Sequence, residues 1–225
     1  MIRVEAFGAT ALLITLAEQP DEALPLRIAC LAERLRAELG AALTDCVPGW
    51  TTLLLHYDLL RIDLPQLQGR VRAALADWPG EPQASSPGRL HEIAVWYAGE
   101  DLAEVGRLCG LTSTQVISLH AGRDYRVGAI GFSPGFAYLG ELDERLALPR
   151  RATPRTHVPA GSLAIAERQT AVYPKASPGG WHLLGRTAQR LFDPWREPPC
   201  PLAVGDRVRF VPIDEAAYHA AGGEP

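Results

Sequence analysis

The sequence predicts an α+β protein in two parts, a small N-terminal domain with a repeated ββα pattern and a C-terminal β-barrel domain. Three observations carry this expectation. Within the first 80 residues, apolar spacing switches from strand-like to helical twice over, each time after a pair of strands. The segment "PGEPQASSPGR" (79–89) is rich in Pro, Gly and Ser and reads as a linker. Beyond it, short apolar strands broken by Gly and Pro follow one another with no alternating βα pattern, as in a closed or nearly closed barrel. The domains are therefore placed at 1–80 and 90–215.

The elements follow in order. "IRVEAFG" and "ALLITLA" read as strands around a turn. A helix is predicted from about Asp21 to Leu39, with Ile28, Leu31, Ala32, Leu35 and Leu39 on one face and Arg34, Arg36 and Glu38 outside it. Gly40 suits its C-terminal stop. "LTDCV", a Pro-Gly turn and "WTTLLLHY" give a second hairpin. A second helix, about Pro65 to Trp78, aligns Leu67, Val71, Ala74, Leu75 and Trp78, and Pro65 fits its first turn. After the linker, "HEIAVWY" (91–97) is a strand, and 101–122 reads as two short helices joined at Gly110. The strands "YRVGAIGF", "GSLAIAE", "QTAVYP", "WHLLGRT" and "RVRFVPI" complete the barrel.

The bulk properties exclude several classes. A chain of 225 residues, 47% apolar and 21% charged, can build a real core. Its net charge of −4 favours neither nucleic acid nor an anionic membrane as partner. The helix pair has the apolar spacing of a helix-turn-helix, but the second helix, about Thr112 to His120, carries no Lys or Arg for phosphate contacts. No apolar run approaches the roughly 18 residues that span a bilayer, and the N-terminus lacks the pattern of a signal peptide. Cys30, Cys46, Cys109 and Cys200 are widely spaced and form no CxxC, which suits reduced thiols in the cytoplasm. The six histidines show no HxxxH or HxH spacing, so no metal site is expected.

"GFSPG" (131–135) matches the G-x-S-x-G of a nucleophile elbow. Ser133 is a poor nucleophile, however. The next residue should donate its N–H to an oxyanion, and here it is Pro134, which has none. The expected barrel also lacks the strand-to-helix turn that an elbow needs. The stretch reads better as a loop in which Gly131 and Gly135 permit unusual backbone conformations while Phe132, Phe136 and Tyr138 line an apolar wall. Two similar loops follow, "VPAGS" (158–162) and "SPGGW" (177–181). Turns of this kind can form N–H nests for carboxylate or phosphate, and Arg150, Arg151, Arg155 and Arg186 lie near them in sequence. Together they predict an anion-binding pocket shared by three loops.

"VPGWTTLLLHYD", the long run from "RDYRVGAIGFSPGFAYLGELDERLALPRR" through "SPGGWHLLGRT", and "LFDPWREPPCPLAVGDRVRF" resemble the KipI family, also called allophanate hydrolase subunit 1, which includes the B component of prokaryotic 5-oxoprolinase. The resemblance covers nearly the whole chain. It implies a small α+β domain followed by a cyclophilin-like barrel. It also implies a cytoplasmic subunit of an ATP-dependent 5-oxoprolinase, converting 5-oxo-L-proline to L-glutamate. The implied partners are a homologous cyclophilin-like subunit (the C component, or allophanate hydrolase subunit 2-like) and the ring-opening A component, with ATP and magnesium serving the whole complex. On this reading the chain is inactive alone. Other family members imply two alternatives, an inhibitor of a histidine kinase or the carboxyltransferase part of a urea carboxylase-type system. The second would need biotin on a partner, since this chain has one lysine, Lys175, and no biotinyl-lysine motif.

The family motif falls on Gly131, Phe132, Pro134, Gly135, Arg155, Pro159, Gly161, Ser162, Gln169, Thr170, Tyr173, Ser177, Gly179, Gly180, Trp181, Arg186 and Thr187. Of these, Arg155 or Arg186 would bind a carboxylate or phosphate, and Gln169 and Thr170 would orient the amide. The rest would shape the substrate pocket, and none is a metal ligand. The chain departs from the family where A-G-x-Q-T-G becomes Ala166-Glu167-Arg168-Gln169-Thr170-Ala171, replacing two glycines. A Gly-Pro-Asp insert common near "YAGEDL" is also absent.

Overall fold

The computed structural model describes residues 2–19, 21–76, 78 and 88–224. Residues 79–87 of the predicted linker lie outside the described residues. The chain divides into two compact units, Met1–Gly88 and Arg89–Pro225.

The first unit is a four-stranded antiparallel sheet with two helices. Strands β1 (Arg3–Ala6), β2 (Ala11–Thr15), β3 (Leu43–Pro48) and β4 (Thr52–Tyr57) are ordered β1-β2-β4-β3. Alternation sends Leu12 and Ile14 of β2 and Leu53 and Leu55 of β4 into one core. There they meet Ile28, Leu31, Ala32 and Leu35 of α1 (Leu24–Leu39) and Leu67, Val71 and Ala74 of α2 (Leu64–Ala74). Both helices are shorter than the periodicity predicts, for local reasons. The Asp21 carboxylate accepts from the N–H groups of Ala23 and Leu24 and holds the entry to α1 in a turn. At the end of α2 the Ala76 and Trp78 N–H groups bond three residues back, tightening the last turn. Asp63 and Gln66 form a reciprocal capping box at its start. Cys46 is buried in this core, and burial pushes its thiol up to about 11, out of reach of ordinary thiolate chemistry.

The second unit is a closed seven-stranded barrel. Its strands are β5 (Leu90–Trp96), β6 (Asp124–Ile130), β7 (Ala137–Gly140), β9 (Ser162–Ala166), β10 (Gln169–Val172), β12 (His182–Arg186) and β13 (Arg207–Ile213). Around the barrel they are ordered β10-β7-β6-β13-β5-β12-β9. Strand β13 runs parallel to β5 along its full seven residues, and the other neighbours are antiparallel. A short ribbon of β8 (Arg155–Val158) and β11 (Ser177–Gly179) stands apart. Of these strands, β7, β8 and β11 were not legible as strands in the sequence, because each is short and adjoins Gly or Pro. The unit continues through a C-terminal helix, α5 (Glu215–Ala220), whose Tyr218 packs on Trp96 at 5.3 Å.

The predicted helix pair is α3 (Leu102–Cys109) and α4 (Ser113–Ala121). Gly110 ends α3 in the left-handed conformation, and Thr112 with Gln115 caps α4. The apolar face of the pair, Leu102, Val105 and Val116, belongs to the barrel core with Val127, Leu139, Ile165, Leu184 and Phe210.

That core also holds a polar chain. Tyr97 Oη lies 2.8 Å from His120 Nδ1, and His120 Nε2 lies 2.9 Å from Thr170 Oγ1, which donates to Ala164 O at 3.1 Å. Because the Thr170 hydroxyl proton goes to the carbonyl, Nε2 donates and Nδ1 accepts, which makes His120 neutral. Burial pushes its pKa down to about 3. The unfolded chain therefore takes up this proton near pH 6.5 while the folded chain does not. Stability from this site is complete above pH 6.5 and falls as the pH drops towards 3, by up to about 1.4 kcal/mol per pH unit. In urea titrations between pH 6.5 and 5, His120→Gln should flatten this slope while lowering stability at neutral pH. An unchanged slope would remove His120 as its source.

Candidate active site

Strands β7, β9, β10 and β12 are buried on both faces. Ala137, Leu139, Leu163, Ile165, Val172 and Leu184 point into the barrel. Ala164, Ala166, Ala171, Tyr173 and Leu183 form a second buried cluster with Phe136, Val158 and Trp181, and Tyr138 packs against it. The alternation of single strands thus builds a floor of alanines, closely walled by aromatic rings, on the outer face of the barrel. Phe136 is the centre of these walls. Its ring lies 5.3 Å from Phe132, 4.9 Å from Tyr138, 5.3 Å from Tyr173 and 5.9 Å from Trp181, with edge-to-face geometry in each case.

Between these rings is a cavity of about 100 Å³, lined by Phe132, Phe136, Tyr138, Tyr173, Trp181, Arg150 and the Pro178-Gly179-Gly180 turn. Gly179 is required here because any side chain would overlap the Tyr173 phenol. The phenol of Tyr173 is held above its usual range by burial, opposed by the charge of Arg150, so it remains a protonated hydrogen-bonding group. Among the described residues, Arg150 is the only charged side chain in the lining, and it lies 3.6 Å from the Glu167 carboxylate. The site can therefore hold a small flat ring between aromatic faces and offer a cation to an anionic substituent. Phe132, at its edge, is 65% exposed and held at φ 68°, a backbone conformation that an aromatic residue rarely adopts.

A larger cavity, about 470 Å³, runs along the start of β5 beside residues 189–202. Its polar and charged side chains have partners: His91 with Asp206 at 2.9 Å, Glu92 with Arg209 at 3.9 Å, Arg190 with Asp193 at 3.8 Å, and Arg196 with the carbonyls of Pro198 and Pro199. None of the motif residues lines it. The aromatic cavity, which gathers five of the motif residues, is the better candidate. Among the described residues, no group of three His, Cys, Asp or Glu is placed to hold a metal.

The structure brings Phe132, Tyr173, Gly179, Gly180 and Trp181 together in this cavity, out of the residues singled out from sequence. Pro134 and Gly135 form the turn that presents Phe132, closed by bonds from Phe136 N–H to Ser133 O and from Gly131 N–H to Phe136 O. Ser177 lies on the neighbouring ribbon, opposite Val158, with its hydroxyl buried. The remaining residues sit elsewhere.

Pro159, Gly161, Ser162 and Thr187 make a tight backbone junction. Gly161 N–H donates to Tyr173 O, Ser162 N–H to Pro159 O, and Thr187 N–H to Gly161 O. The Gly161 and Ser162 N–H groups are thereby turned to the chain's own carbonyls, and Ser162 and Thr187 are buried. Thr170 does not orient a substrate amide, since it is fully buried and bonded to His120 and Ala164. Gln169 pairs with Ala166 at the β9–β10 turn. Arg155 does not offer a free charge, because its guanidinium lies 2.7 Å from the buried Asp101 carboxylate and 3.2 Å from Glu100. Arg186 lies over the Tyr218 ring at 5.8 Å, in register with Trp96. The expectation of one pocket shared by three loops is thus corrected to a pocket built by two, with "VPAGS" serving as a junction. Phe136, Tyr138 and Arg150 also line the cavity although the motif does not include them; the cluster of aromatic residues in "GFSPGFAYLG" is the signal for the first two.

The second unit is thus a closed barrel with an aromatic cleft on its outer face. The chain belongs to the family of the carboxyltransferase domain, subdomain C and D, whose model matches residues 2–202. The B component of the 5-oxoprolinase of Escherichia coli O157:H7 is 42% identical over 220 residues, covering 95% of this chain and 97% of that one. The corresponding 5-oxoprolinase component of Bacillus subtilis is 36% identical over 231 residues, covering 97% and 95%. Among solved structures, TTHA0988 superimposes with a TM-score of 0.80 at 39% identity over 95% of this chain, which spans 40% of that longer chain. The urea amidolyase of K. lactis shares the fold, with a TM-score of 0.77 at 17% identity, over 97% of this chain and 15% of that one. The second unit is a cyclophilin-like barrel, as the resemblance implies.

Proposed function

We propose that this chain is a subunit of an ATP-dependent 5-oxoprolinase, and that its aromatic cavity receives the lactam. The observation that carries this reading is the cavity itself: about 100 Å³, walled by Phe136, Tyr138, Tyr173 and Trp181, with Arg150 as its one charged group among the described residues. 5-Oxo-L-proline is a five-membered ring with one carboxylate, and the lining offers ring faces and a single cation for these two features. The relatives at 36% and 42% identity, both named as the B component of a 5-oxoprolinase, support the same reading.

The described lining has no carboxylate, thiol or imidazole to act as base or nucleophile. On this reading the chain binds and orients the substrate, while other subunits supply the groups that open the ring. The aromatic cavity does not suit a nucleotide. It is far smaller than the roughly 300–1,000 Å³ of common ligand sites, and the Gly161 and Ser162 N–H groups of "VPAGS" are bonded within the chain. On this reading ATP and its magnesium bind outside the aromatic cavity. The chain would then be inactive alone.

The test is ATP-dependent glutamate formation by the reconstituted complex, which should be lost when this chain is omitted. Arg150→Gln should raise KM for 5-oxo-L-proline by roughly 10- to 100-fold, the loss of a charge-assisted contact. An unchanged KM would remove the lactam from this cavity.

A further inference from the structure

Glu167 stands at the β9–β10 turn with φ 55°, left-handed and unusual for a residue with a side chain. Its N–H donates to Leu148 O at 2.6 Å, and the two residues form an antiparallel bridge. Arg150 follows Leu148 by two residues, so this backbone tie holds the Arg150 segment beside the turn. The Glu167 carboxylate lies 3.6 Å from Arg150 Nε. The adjacent Arg168 is engaged in the opposite direction, with Glu141 and Glu144. The one charged group of the described cavity lining is therefore matched by a carboxylate just outside it.

We propose that Glu167 is a specificity-determining residue that masks Arg150 and weakens the pull of the cavity on anionic ligands. An incoming carboxylate competes with Glu167 for the same guanidinium and meets its repulsion at close range. Both side chains are more than half exposed, which moderates the effect without abolishing it. The inference rests on the proposed binding of the lactam carboxylate at Arg150.

Glu167→Gln tests it, since this change keeps the turn residue's size and removes only its charge. Glu167→Ala is the second variant should the first fail to assemble. In the reconstituted complex, KM for 5-oxo-L-proline should fall by roughly three- to tenfold, with kcat within twofold. The inhibition constant of 2-pyrrolidinone, the same ring without the carboxylate, should not change. In an Arg150→Gln background, the Glu167 substitution should have no further effect. A constant KM, or an equal shift for the charged and uncharged rings, would overturn the proposal. If Arg150→Gln raises KM while Glu167→Gln does nothing, only the masking role fails. If Arg150→Gln leaves KM unchanged, the reading of the cavity fails as well.

Discussion

Asp101→Ala is expected to destabilise the protein by about 3–5 kcal/mol, the usual loss when one partner of a buried ion pair is removed. Asp101 is 3% exposed. Its Oδ1 accepts from Arg151 Nη1 and Arg155 Nη2, each at 2.7 Å, and its Oδ2 from the Leu183 N–H at 2.7 Å. Its own N–H donates to Leu183 O. One carboxylate thus joins the segment after β5, the chain leading into β8, and strand β12. Burial alone would raise its pKa, but the Arg155 bond, the Leu183 N–H and the nearby Arg151 charge outweigh this and hold it below the ordinary value. Alanine would leave the Leu183 N–H without its acceptor and each guanidinium with only its longer contact, Arg151 with Glu104 and Arg155 with Glu100. Asn would keep an acceptor but lose the charge, and should cost less. Because the folded pKa is lowered, the contribution is present above the unfolded value near 3.8 and is lost as pH falls below it. Urea denaturation at neutral pH and at pH 3 checks both statements. The deficit of the Ala variant relative to the wild type should be smaller in acid than at neutral pH. A loss below 1 kcal/mol at neutral pH would mean that the three segments hold together without this carboxylate.

Asp101 also explains which part of the site could be read in advance. Arg150, Arg151 and Arg155 stand close together in "PRRATPR" and look alike as sequence. The structure divides them through a residue some fifty positions earlier: Arg151 and Arg155 turn to Asp101, and Arg150 remains at the cavity. No local pattern carries that information. The barrel and the ββα repeat were legible, since alternation and helical spacing are local and the cores use them directly. The aromatic wall was partly legible from composition, because Phe132, Phe136 and Tyr138 cluster in a Gly- and Pro-rich loop. What local pattern could not show was that β9 and β10 are buried on both faces, so that Thr170 faces the barrel interior while Tyr173 faces the cavity. A polar residue in a motif looks the same in sequence whether it meets a ligand or a buried histidine. Glu167 shows the converse: it carries a side chain on a left-handed backbone and so sets the charge beside the site.

Gly135→Val is expected to disrupt the cavity, while Ser133→Ala should leave activity within about twofold of the wild type, a change too small to count as a lost catalytic group. Gly135 has φ 79°, and a Cβ there would stand 2.5 Å from Leu191 O and 2.8 Å from the Phe192 Cβ. The left-handed conformation costs a branched residue about 1–2 kcal/mol, and forcing atoms into a filled space adds about 1–3 kcal/mol. The loop can relieve both only by moving away from residues 191–192. That movement would carry Phe132 and Phe136 with it and open the wall on which the other rings pack. Denaturation should therefore show a loss of about 2–5 kcal/mol, accompanied by a rise in KM in the assembled enzyme. Ser133 has no comparable role. Its carbonyl accepts the Phe136 N–H, a bond that alanine keeps, and Pro134 cannot donate an N–H to an oxyanion beside it. If Ser133→Ala abolished turnover while the fold and KM were intact, Ser133 would have to be reinstated as a reacting group, and the loop could no longer be only a wall. The opposite pair of results, a tolerant Ser133 and an intolerant Gly135, assigns the motif to backbone geometry.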